Sequence, residues 1–145
     1  MFGESFDLTD QKVKNASEES LKKFIDSEVS VDYLESLVLG NEDLVEVFEE
    51  MVINCLRYTE TVCKFEIILM NDDEDRDKLI EIDNIRKTVH DVTIDSINIL
   101  ARSLRNQNLD VEWVDKFSGN RAAYGRFAIS LAFEKILKER KQNEE

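Results

Sequence analysis

The densest chemistry in this 145-residue chain is carboxylate. Glu46 and Glu49 stand three residues apart, the spacing that stacks two side chains on one face of a helix. Glu74 and Asp77 repeat it beyond a polar stretch. Four hard oxygen donors brought together suit Mg²⁺, and a bound Mg²⁺ activates water against a phosphate. Other candidates are sparser. His90 is the sole histidine, followed by Asp91. No serine or cysteine motif offers it a nucleophile, so it reads as a structural or surface side chain rather than a general base. Cys55 and Cys63 fall in one helical pattern about 12 Å apart along its axis, whereas a bridge needs Cα atoms within about 7 Å. They read as reduced, semi-buried thiols, and with no C-x-x-C or Cys/His cluster no zinc site is expected. Gly3, Gly40, Gly119 and Gly125 are scattered and make no phosphate loop. Arg121, Tyr124 and Arg126 form the one compact basic-aromatic group, suited to a phosphate at a helix N-terminus or to anchoring a protein partner.

The acid pattern E-x-x-E at 46–49 followed by E-x-x-D at 74–77 is similar to the motif of the all-α nucleotide pyrophosphohydrolases of the MazG type. The resemblance rests on those four residues. It implies a Mg²⁺ cofactor held by Glu46, Glu49, Glu74 and Asp77, and hydrolysis of a nucleotide. The elements constrain this reading. A helical hairpin turning near residues 71–73 sets Glu46 and Glu49 opposite residues 95–98, about 30 Å from Glu74 at 1.5 Å per residue. The four acids then meet only if the long helix breaks or a second chain supplies one pair.

The elements themselves follow from apolar spacing. Residues 1–16 are polar with little periodicity and read as a flexible lead-in. A single helical domain is expected over 17–141, with a frayed tail at 142–145. Ser17 can cap a short helix with Leu21, Phe24 and Ile25 inward. Ser30 can cap a second with Tyr33, Leu34, Leu37 and Val38 inward, stopped by Gly40. Asn41 opens a long helix whose inner row is Leu44, Phe48, Met51, Val52, Cys55, Thr59, Val62 and Cys63. Its end, Phe65 to Met70, is apolar nearly all round, which predicts deep burial or cover by another chain. Five acids in the seven residues 71–77 break the pattern. A second long helix is expected from about Glu74 to Arg105, with Leu79, Ile82, Ile85, Val89, Val92, Ser96, Ile99, Leu100 and Ser103 inward. Residues 62–67 and 78–83 also alternate in strand-favouring types, so a β-hairpin across 62–83 stands as the alternative. A turn at 106–108, a short helix bearing Trp113, Val114 and Phe117, and a last helix from Arg121 to about Lys141 complete the chain. In that last helix Ala122, Ala123, Gly125, Ala128 and Ala132 let another helix approach closely. The class is therefore all-α: a bundle of about five to six helices around a long antiparallel hairpin.

Charge narrows the function. There are 32 acids against 19 bases, a net −13, and no proline. Residues 1–117 carry 28 of the acids and 13 of the bases. A surface this negative repels phosphate backbones, so direct nucleic-acid binding is not expected, and a basic protein is attracted instead. No apolar run reaches the roughly 18 residues of a membrane span, and the first residues lack the charge and apolar core of a secretory signal. A cytoplasmic setting is expected. The reading favoured by these features is a non-enzymatic acidic interaction module. Its expected contact residues are Glu42, Glu46, Glu49, Glu50, Asp72, Asp73, Glu74 and Asp75, with the basic-aromatic group Arg121, Tyr124 and Arg126. A homodimer is a further expectation. Clustered carboxylates on rigid helices can imitate a phosphate array and occupy the groove of a basic nucleic-acid-binding protein. By composition the chain resembles the small acidic inhibitors of phages and mobile elements, helical anti-CRISPR proteins among them.

Overall fold

A computed structural model of the chain describes residues 30–70, 76–117 and 119–144. The lead-in at 1–16, the helix expected after Ser17 and the acidic stretch 71–75 lie outside the described residues. Among the described residues there are five helices and no strand. These are α1 (Val31–Val38), α2 (Glu42–Met70), α3 (Arg76–Asn106), α4 (Glu112–Asp115) and α5 (Arg121–Glu144). The β-hairpin alternative over 62–83 is resolved in favour of helix on both sides of the turn.

The starts follow local chemistry. Ser30 Oγ accepts from the Tyr33 N–H at 3.0 Å. Asn41 Oδ1 accepts from Leu44 N–H at 3.2 Å, and Asn120 Oδ1 from Ala123 N–H at 3.1 Å. Each satisfies an amide that the first turn leaves orphaned. Between α1 and α2, Gly40 sits at φ +84°, a conformation glycine enters without penalty. α5 continues to Glu144, past the Lys141 end read from spacing. No glycine or proline in 135–144 stops it.

α2 and α3 form the antiparallel hairpin and share the largest interface, with α5 packed next most extensively on α2. Three side-chain pairs set the register. The Asn54 amide donates to Ser96 Oγ. The Tyr58 ring stacks on His90, centroids 4.9 Å apart. The Arg86 guanidinium lies over the Phe65 ring, 5.7 Å from its centroid. Glu46 and Glu49 therefore face residues near 100–103, not 95–98 as a turn at 71–73 would require.

Between the three long helices lies one core that includes Phe48, Met51, Cys55, Tyr58, Ile97, Leu100, Leu104, Phe127 and Leu131. α5 approaches closely because Gly125, Ala128 and Ala132 are buried against its neighbours. These three small residues are thus consumed inside the chain, while Ala122 stays exposed and Ala123 half-buried. Tyr58 fills the notch at Gly125, where an added Cβ would come within 2.9 Å of the phenolic oxygen. At the other end α5 holds α1. Glu134 Oε2 accepts the Val31 N–H at 3.2 Å, and Lys138 Nζ bridges Asp32 at 2.6 Å and Glu35 at 3.0 Å. Phe117, Trp113, Phe127 and Tyr124 pack as an aromatic cluster beneath α4.

Two packing expectations are corrected. Tyr33 is not inward: its ring is exposed and its hydroxyl donates to Asp110, while Val31 takes the core position. In α3 the buried row is Ile82, Thr93, Ser96, Ile97, Leu100, Ala101 and Leu104. Val92 and Ile99, expected inside, are 46% and 48% exposed. The core-facing side of α3 is turned away from them by about one residue, or 100°.

Candidate interaction surface

Glu42, Glu46, Glu49 and Glu50 all stand exposed on the first turns of α2. Glu42, in the first turn, also complements the positive end of the helix dipole. None of the four enters an ion pair with a described residue. Asp77 is exposed at the start of α3, whereas Asp72, Asp73, Glu74 and Asp75 lie outside the described residues. Because α2 runs unbroken, Glu46 and Glu49 are about 35–40 Å from Asp77 along the hairpin at 1.5 Å per residue. Among the described residues no group of three or more His, Cys, Asp or Glu side chains can hold a metal ion.

The basic-aromatic group divides. The Arg121 guanidinium pairs with Asp91, and its carbonyl lies 3.0 Å from His90 Nε2. Tyr124 Oη donates to Asn98 Oδ1 at 2.8 Å, and its ring meets Phe117. Only Arg126 of the three stands exposed without such a role. Arg121 and Tyr124 are struts between α5 and α3. His90 belongs to the same junction. Burial against Tyr58 holds its imidazole below the ordinary 6.5, which keeps it neutral and donating toward the Arg121 carbonyl.

The thiols are inert in this setting. Cys55 and Cys63 are free. Burial pushes the Cys55 thiol far up and the Cys63 thiol to about 12, so neither offers a thiolate at neutral pH.

A surface that the apolar spacing did not single out lies on the hairpin itself. α5 marks one side of the hairpin through Tyr58 and Gly125 and through the Asn98 and Asp91 contacts. At about 100° per residue, Ile53 on α2 and Val92 and Ile99 on α3 turn to the opposite side. All three are exposed, Ile53 to 42%. By register Ile53 is level with Ser96, between Val92 and Ile99. Glu46, Glu50 and Arg57 flank it on α2, and Asp95 and Arg102 on α3, all exposed. A sequence signal existed: Ile85, Val92 and Ile99 recur every seven residues, the repeat of a helix seam.

At the far end of the hairpin, the described side chains of the stretch 65–70 are not deeply buried. Phe65 and Ile68 are half-buried, Leu69 is 51% exposed and, on α3, Ile80 is 59% exposed. Among the described residues no helix is long and apolar enough to cross a membrane. No family model, curated protein or solved structure matches this chain.

Proposed function

We propose that the chain is a non-enzymatic, acidic helical interaction module that offers the carboxylate row of α2 to a basic protein surface, of the kind that binds nucleic acid. The observation that carries this reading is the row itself: Glu42, Glu46, Glu49 and Glu50, exposed on one continuous helix and unneutralised by any described cation. A helix fixes the spacing of these charges, so they act as an array rather than as mobile ends. With a net −13 the long-range field draws in a positive groove and repels the nucleic acid that groove would otherwise hold. The free thiols, Cys55 buried and Cys63 half-buried, suit a reducing compartment such as the cytoplasm.

The test is capture of a panel of purified basic nucleic-acid-binding proteins by the immobilised chain at low and high salt. Selective capture that weakens as salt rises supports the reading, because interaction between exposed charges is screened beyond about 10 Å at 0.1 M salt. Capture of none, or salt-insensitive capture, removes it. A parallel arm adds Mg²⁺ and a nucleotide panel. Phosphate release would return the chain to the pyrophosphohydrolase reading.

A further inference from the structure

We infer that the chain preceding Ser30 folds back along α2. The Leu21, Phe24 and Ile25 row of the helix expected over 17–28 closes over Leu56 and Cys63, and Lys22 meets Glu60. The first ground is burial that the described helices do not supply. Leu56, Glu60 and Cys63 are half-buried. Glu60 Oε1 is shut off from solvent and has no hydrogen-bond partner, and burial pushes the Cys63 thiol up to about 12. Tyr58 marks the side of α2 that faces α3 and α5, through His90 and Gly125. At about 100° per residue, Leu56, Glu60 and Cys63 lie about 140–160° around the helix from Tyr58.

α1 covers only the start of that side. α5 runs in the direction of α3, as the Arg121–Asp91 and Tyr124–Asn98 contacts show, and so antiparallel to α2. With Gly125 at Tyr58, Glu134 comes level with about residue 49 of α2 at the common helical rise. Its Oε2 accepts the Val31 N–H, which sets the first residue of α1 at that level. From there α1 runs toward Asn41 and the start of α2. Leu56, Glu60 and Cys63 lie about 10–21 Å the other way, toward the hairpin tip. Among the described residues no helix reaches this side of α2 beyond that level, since α3 and α5 both lie toward Tyr58.

The occupant follows from where the described chain begins. Ser30 enters α1 from the tip side, so the residues before it approach over Leu56. A helix over 17–28 spans about 18 Å, the distance along α2 from the level of residue 51 to that of residue 63. Leu21, Phe24 and Ile25 form one apolar face of such a helix. Laid antiparallel to α2 with that face inward, the right-handed helix carries Lys22 to the flank where Glu60 stands and turns Lys23 away. Lys22 then falls within about one turn of Glu60. Lys64, one turn on, favours the charged form of this carboxylate but does not bond Oε1; the Lys22 ammonium supplies that oxygen with a donor. The contact lies on the tip side of the Glu42–Glu50 row and leaves that row open. It does not rest on the proposed function, and its test uses the chain alone, so either can fail without the other.

The experiment is thiol labelling of the full native chain, with the two cysteines told apart by peptide mass spectrometry. Cys55, 0% exposed in the core, is the internal control. Cys63 should label slowly in the wild type. Leu21→Asp and Phe24→Asp should each raise its rate roughly tenfold or more by opening the cover, with Cys55 still protected and the helical circular dichroism spectrum unchanged. Lys22→Glu should raise the rate less, Lys23→Glu should leave it alone, and Lys22→Glu combined with Glu60→Lys should restore protection. A zero-length carbodiimide on the wild type should join Lys22 to Glu60, a result that stands even if the aspartate variants unfold. Wild-type Cys63 that labels at the rate of the unfolded chain overturns the proposal. So does a rate that neither aspartate substitution changes in a folded chain. Glu60 joined to Lys23, or to Lys64 alone, overturns the pairing with Lys22.

Discussion

Several side chains carry roles that follow from their immediate neighbours. Asn54 and Ser96 are buried polar groups that satisfy each other across the hairpin, and Ser96 Oγ in turn donates to the Val92 carbonyl at 3.0 Å. Asn54→Ala removes one partner inside the core and should cost about 1–3 kcal/mol, read by urea denaturation. His90 gives a pH signature. Burial holds its folded pKa below the 6.5 of the free group, with Arg86 and Arg121 acting the same way and Asp91 and the Arg121 carbonyl acting against. The folded state therefore binds fewer protons than the unfolded one as pH falls below about 6.5. Stability from this site is complete above that pH and is lost on acidification toward the folded pKa. Glu60 and Glu134 act with opposite sign, since burial raises both above 4.5 and protonation relieves them. Melting temperatures of the wild type and His90→Gln, compared from about pH 7.5 to 5.5, isolate the histidine. The wild type should lose more stability than the variant over that interval. An identical pH dependence in the two proteins would contradict the assigned burial.

At the scale of elements, the two sides of α3 make opposite predictions. Leu100 is fully buried and Ile99 is half exposed. Leu100→Ala should destabilise the fold by about 2–5 kcal/mol, while Ile99→Ala should leave the unfolding of the single chain within about 0.5 kcal/mol. α5 gives a matching pair. Ala128→Leu overpacks the contact with its neighbours and should cost about 1–3 kcal/mol, whereas the exposed Ala122→Leu should be nearly neutral; thermal melts of both variants check this. These elements were largely legible in the sequence. The caps at Ser30, Asn41 and Asn120, the stop at Gly40 and the inner row of α2 from Leu44 to Thr59 follow from short-range chemistry that a sequence displays directly. The inner row of α3 did not. Apolar residues occupy two adjacent rows of that helix, Val92–Ile99 and Ile97–Leu100–Leu104, and both satisfy a three-four spacing. Only the register against α2, through Asn54–Ser96 and Tyr58–His90, decides which row is covered. The carboxylates of the candidate surface were named from charge and spacing, because hydrated acids need no tertiary partner. Its apolar part at Ile53, Val92 and Ile99 was not, because exposure is a property of what fails to pack there.

For the whole molecule, the hairpin explains why its acids stand apart. A continuous α2 carries Glu46 and Glu49 to one end and leaves Asp77 near the other, so the charge is spread along a rod instead of focused on an ion. On the proposed function, such a surface acts through its field on a basic partner, an interaction sensitive to ionic strength. Its function as a decoy for a basic groove is the central claim, and displacement tests it most directly. Labelled duplex DNA is bound to a basic DNA-binding protein captured by the chain, and anisotropy is followed as free chain is added. The claim predicts release of the DNA, weaker as salt rises, and lost when Glu42, Glu46, Glu49 and Glu50 are together replaced by glutamine. DNA that stays bound, or release that is undiminished by the four replacements, would contradict it.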